Sequence, residues 1–131
     1  MTLTLHPPTV HFPIALLLVG SILELWALRR PNSDWLIASR LMLRLGWWFA
    51  LLATLTGFST LAFNPERIQR DLGWINGHAV TSLLIVGVYW RLAIGRPGAP
   101  QLRQRLLLLG VGLIVLTGWL GGRLAYGLGW R

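Results

Sequence analysis

Three histidines, His6, His11 and His78, are the only imidazoles this sequence offers as ligands to a metal or cofactor. There is no cysteine, which excludes disulfides, thiolate metal sites, iron–sulfur clusters and covalent haem attachment. Two of the histidines fall in the stretch His6-Pro7-Pro8-Thr9-Val10-His11-Phe12-Pro13, just ahead of a long apolar run. The third opens another apolar run at Gly77-His78. In the last apolar run Trp119, Arg123 and Tyr126 recur at i, i+4 and i+7, so they share one helical face. Neutral imidazoles facing one another are what a b-type haem needs as axial ligands. An arginine and a tyrosine at the same level could serve its propionates.

Such an arrangement requires a scaffold, and the composition supplies one. Of the 131 residues, 54% are hydrophobic and 12% charged, with a mean hydropathy of +0.59. A helix of about 20 apolar residues crosses a hydrocarbon core of about 30 Å. The chain therefore has room for four spans, predicted at about 11–28, 41–63, 78–94 and 104–126, and the predicted fold is an all-α up-down four-helix bundle in one transmembrane domain. Pro13 belongs in the first turn of the first span, where its missing N–H costs little, and Arg29-Arg30-Pro31 stops that span. Trp35-Leu36-Ile37 is expected in the connection that follows, lying in the membrane interface. Asn64-Pro65-Glu66 reads as the start of a short amphipathic helix carrying Ile68, Leu72 and Ile75 toward lipid, separate from the third span.

All twelve basic residues are arginines, against four acids, for a formal net charge of +8. They flank apolar runs and do not form one basic face with stacking aromatics, so a nucleic-acid partner is not predicted. Their distribution sets topology. The first and third connections hold Arg29, Arg30, Arg40, Arg44, Arg91, Arg96, Arg103 and Arg105 against Asp34, whereas the second balances Arg67 and Arg70 against Glu66 and Asp71. The positive-inside rule then places both termini on the outer side. Trp26, Trp35, Trp47, Trp48 and Trp90 mark the inner interface, Trp74, Trp119 and Trp130 the outer, and Tyr89 is read as a belt residue. No basic n-region precedes the first apolar run, so a cleaved signal peptide is not expected.

With that topology His6, His11, His78, Arg123 and Tyr126 all fall at the outer end. An up-down order sets the first and third helices diagonally across the core, so His11 and His78 are the predicted axial pair, with Arg123 and Tyr126 as propionate or pocket partners and His6 closing the site from above. The simpler alternative is that each histidine sits in the interface on a backbone hydrogen bond, and that Arg123 snorkels. Glu24 lies about 20 Å deeper than His11 at 1.5 Å per residue, a separate feature. A register-fixing ion pair with Arg44 or Arg91 is its expected role, and a proton-handling carboxylate the alternative. No serine–histidine–acid set, phosphate-cradling loop or carboxylate pair is present, so a subunit is expected here more than a catalyst.

The His6-Pro7 opening with Val10-His11-Phe12-Pro13-Ile14, the acid Glu24 late in the first span, His78 opening the third, and a fourth span closing as Gly118-Trp119-Leu120-Gly121-Gly122 and Leu124-Ala125-Tyr126 resemble one bacterial family over nearly the whole chain. It is the four-helix membrane family catalogued as domain of unknown function two-two-three-one. Members often carry an acid after the Gly-Gly pair and a histidine-glycine after the tyrosine; this chain has Arg123 and Leu128-Gly129 there, which removes one ligand candidate. Some relatives are joined to cytochrome c or Rieske-type domains, so the resemblance implies a redox setting in the inner membrane of a bacterium. The expected function is a b-type cytochrome-like electron-transfer subunit, holding one haem near the outer face between the first and third helices and working between a quinone and an outer-side redox protein. The alternatives are an accessory subunit packed against a larger respiratory or photosynthetic complex, and a copper or zinc site of His6, His11 and His78.

Overall fold

The computed structural model describes residues 6–30, 34–63, 65–95 and 98–126, without the side chains of residues 6–8, 65–71 and 126. Four helices account for nearly all of it: α1 (His6–Ala27), α2 (Trp35–Ala62), α3 (Pro65–Ala93) and α4 (Pro100–Tyr126). Each is long and apolar enough to cross a membrane, and no strand occurs among the described residues. The chain is a multi-pass membrane protein of all-helical fold.

The helices run past the predicted bounds where no residue stops them. α1 begins at His6, so Pro13 is not in the first turn as expected but is the eighth residue, inside the helix, where its ring removes the amide that would bond the Thr9 carbonyl. Trp35-Leu36-Ile37 opens α2 and is not part of the connection; the amides of Ile37 and Ala38 both donate to the Asp34 carbonyl at 3.1 Å. The separate amphipathic helix does not exist. Pro65 starts a single rod of 29 residues through Gly77-His78 to Ala93, since nothing after Pro65 blocks propagation before the Ile94-Gly95 turn. That rod is about 43 Å long, longer than the hydrocarbon core needs.

Each helix packs on its neighbours in the chain, and α4 closes the ring on α1; α1 lies closest to α2, and the α1–α4 junction is the sparsest. α1 and α3 are therefore diagonal, as predicted. Small residues set the close approaches. The Leu17 side chain fills the space over Gly46, where a Cβ would sit 2.7 Å from it, and Leu43 fills that over Gly20, at 3.0 Å. The ring of Tyr89 lies over Gly110, 2.7 Å from where a Cβ would be. Without an aqueous hydrophobic drive, such interlocking and interhelical hydrogen bonds hold membrane helices together.

Burial is inverted relative to a soluble protein. Leu17, Leu43, Ile85, Tyr89, Leu107 and Ile114 are buried, yet so are Ser21, Glu24, Ser39 and Thr81, while Phe12, Trp48, Leu55, Leu108 and Val115 face outward. Lipid is as good a solvent for leucine as the core is, so the apolar excess goes outside and the polar groups turn in.

Candidate functional site

The two ends of the bundle carry different chemistry. At one end the start of α1 meets the second half of α2, through Phe12 stacked on Phe49 at 5.3 Å and Thr9 Oγ1 lying 3.1 Å from Thr56 Oγ1. The start of α3 meets the end of α4 there, through Trp74 edge-on to Trp119 at 5.8 Å.

His78 is built into this end. It follows Ile75 and precedes Thr81 and Ile85 on the buried stripe of α3. Its Nδ1 lies 3.1 Å from the Thr117 carbonyl oxygen of α4. A carbonyl only accepts, so Nδ1 donates this bond. Gly121, one turn beyond Thr117, makes the space: a Cβ there would be 2.9 Å from the imidazole.

The other predicted members of the site are placed differently. His11 is exposed. It matches His78 in depth, because from the Ser21–Tyr89 contact it lies ten residues along α1 and His78 eleven along α3, about 15 Å in each case. In rotation it does not match: thirteen residues before Glu24, it stands about 140° around α1 from that buried side chain, at 100° per residue. The predicted facing pair across the interior is thus not formed. Sequence spacing gave the depth, but the direction of a helix face depends on which residues its neighbours cover.

Arg123 is held between indoles, its Cζ 4.7 Å from the Trp74 ring and 5.2 Å from the Trp119 ring. Cation–π contact and the carboxyl end of the α4 dipole both favour it there. His6 opens α1 on the register of Pro13, Leu17 and Glu24, but its side chain, like that of Tyr126, lies outside the described ones. Among the described residues no group of three or more histidine, cysteine or acidic side chains converges as a metal site would need.

Reading the sequence missed Thr117 and Gly121 as the partners of His78. Only the Gly121-Gly122 pair signalled that α4 is thinned there. Tyr89 was misplaced as a belt residue: it is fully buried, and its hydroxyl is 2.8 Å from that of Ser21. Trp47, read as an anchor, also donates its indole N–H to the Val86 carbonyl at 3.0 Å, joining α2 to α3.

At the opposite end Glu24 is fully buried and accepts from Arg103 Nε of α4. The expected partners are otherwise engaged or placed: Arg44 Nε donates to the Ala93 carbonyl at 3.3 Å, and the Arg91 guanidinium lies against Gly95 and Gly98 in the α3–α4 turn. Arg44 and Arg91 were favoured because they sit at the right depth; Arg103 does too, and it comes from the helix that closes on α1. The second carboxylate oxygen of Glu24 is buried with no hydrogen-bond partner among the described residues.

No curated protein and no solved structure matches the chain. The family described as predicted membrane protein (DUF2231) matches residues 2–131. With four apolar helices in place and the match covering all but the first residue, this chain belongs to the DUF2231 family of membrane proteins.

Proposed function

We propose that this chain is an accessory subunit that packs within a larger membrane complex, its interior given over to holding four helices in register. The observation that carries the reading is a contrast among its glycines. Gly20, Gly46, Gly110 and Gly121 are each filled by a side chain from a neighbouring helix, whereas Gly112, Gly118 and Gly122 of α4 have open space where a Cβ would be. Gly118 and Gly122 form a small-xxx-small pair on α4, of the kind along which membrane helices approach closely, and Val111 and Val115 continue the same face. Three interior polar contacts tie helices together: Ser21 to Tyr89, Glu24 to Arg103, Trp47 to Val86.

Native gel electrophoresis of gently solubilised membranes tests this. The chain should migrate within an assembly larger than itself, the Gly118→Leu/Gly122→Leu variant should release it, and the variant with all three histidines changed to alanine should stay assembled. Migration of the unaltered chain by itself would defeat the reading.

A second reading is one b-type haem at the His78 end, serving single-electron transfer between a quinone and an outer-side partner. It is favoured by one observation: a ligating histidine typically donates its other ring N–H to a carbonyl or carboxylate, as His78 does to Thr117. The His11–His78 axial pair does not fit, since His11 is exposed on the far side of α1. A haem here would have His78 as its ligand from α3. Its Soret band would then disappear in His78→Ala and persist in His11→Ala; a colourless purified protein would sink it. A copper or zinc centre is separated from both by metal analysis.

A further inference from the structure

The end of the bundle opposite His78 concentrates charge of one sign. Arg29, Arg30, Arg40, Arg44, Arg91, Arg103 and Arg105 lie at or near it, against Asp34 and the buried Glu24. Most of these arginines are exposed. Two are not: Arg91 of α3 and Arg103 of α4 are partly buried, and they line one indentation together with Gly98, Leu102 and Leu106.

Its construction is specific. The α3–α4 turn passes close under Arg91, so that a Cβ on Gly95 or on Gly98 would come within 3.0 Å of the guanidinium. Arg103 is oriented from the other wall, its Nε donating to Glu24 and its side chain 12% exposed. Glu24 holds Arg103 from a fully buried position. Leu102 flanks Arg103 at its own level, and Leu106, one helical turn further along α4, continues into the apolar zone. A cation pair above an apolar floor, between two membrane helices and at the interfacial level marked by Trp90 and Trp26, has the chemistry of a phospholipid with an anionic headgroup.

We propose that the indentation formed by Arg91, Gly98, Leu102, Arg103 and Leu106 is a binding site for one anionic phospholipid, its phosphate on the two guanidiniums and an acyl chain along Leu102 and Leu106. The planar fork of arginine suits a phosphate better than a lysine ammonium would. Bound there, the lipid bridges α3 and α4 through one guanidinium from each helix. Inorganic phosphate alone lacks the chain that the leucines receive.

Native mass spectrometry of the full chain in detergent, titrated separately with phosphatidylglycerol, phosphatidylcholine and inorganic phosphate, tests the site. One phosphatidylglycerol should be retained in preference to phosphatidylcholine. Each guanidinium near a phosphate contributes on the order of a fivefold change in affinity, so Arg91→Gln should weaken retention about fivefold. Arg105→Gln, which removes an exposed charge from the same helix, should leave it unchanged. Because Arg103→Gln strands Glu24, the variant for that wall is Glu24→Gln/Arg103→Gln, with the same loss expected. Equal retention of the two lipids, an equal effect of Arg105→Gln, or phosphate binding as tightly as the lipid would each overturn the proposal.

Discussion

The hydroxyls of Ser21 and Tyr89, 68 residues apart in the chain, lie 2.8 Å from one another in the interior of the bundle, toward its arginine-rich end. They join α1 to α3, one of the two diagonal helix pairs whose backbones do not come close. In hydrocarbon neither hydroxyl has water to fall back on, so the bond fixes depth and rotation of both helices together. Removing either partner should cost about 0.5–1.5 kcal/mol. Ser21→Ala, Tyr89→Phe and the double variant, unfolded in mixed micelles, should therefore be non-additive, the second substitution costing less than the first. Strict additivity would show that the two hydroxyls do not interact.

Tyr89 also needs Gly110. A Cβ there would come within 2.7 Å of the phenol ring, and the ring is buried with nowhere to move. Gly110→Ala should lower stability by about 1–3 kcal/mol through overpacking. Gly112→Ala, two residues on and facing open space, should be neutral or slightly stabilising. Thermal unfolding of the two variants in the same detergent makes the comparison.

The Glu24–Arg103 pair gives a larger and differently shaped effect. With Glu24 fully buried and Arg103 nearly so, removing one partner leaves a charge in a low-dielectric interior, a loss of about 3–5 kcal/mol. Arg103→Gln should be severe, and Glu24→Gln/Arg103→Gln should recover much of the loss. Arg44→Gln, whose side chain bonds only a backbone carbonyl, should be far milder. Expression and unfolding midpoints rank the three.

For His78 the informative change is on its neighbour. Gly121→Ala should push the imidazole off Thr117, and it should do nothing in a His78→Ala background, where the 2.9 Å clash no longer exists. The ring ¹⁵N shifts of labelled histidine report which nitrogen is protonated. Loss of the Nδ1–H signature in Gly121→Ala is the expected result; an unchanged spectrum would show that the ring does not depend on that gap.

The sequence by itself determined the number of helices, their up-down order, the diagonal relation of α1 and α3, and the depth of each polar residue. Hydropathy, charge bias and 1.5 Å per residue are one-dimensional quantities, and they carry that information without knowledge of neighbours. The tertiary structure decided rotation and partnership. It turned His11 outward at the level where His78 turns in, gave Glu24 to Arg103 in preference to the equally deep Arg44 and Arg91, and turned Tyr89 at its own level from lipid to the interior. Each of those choices is a relation between residues far apart in the chain, as in the packing of Tyr89 over Gly110 and His78 over Gly121, and no local pattern contains it.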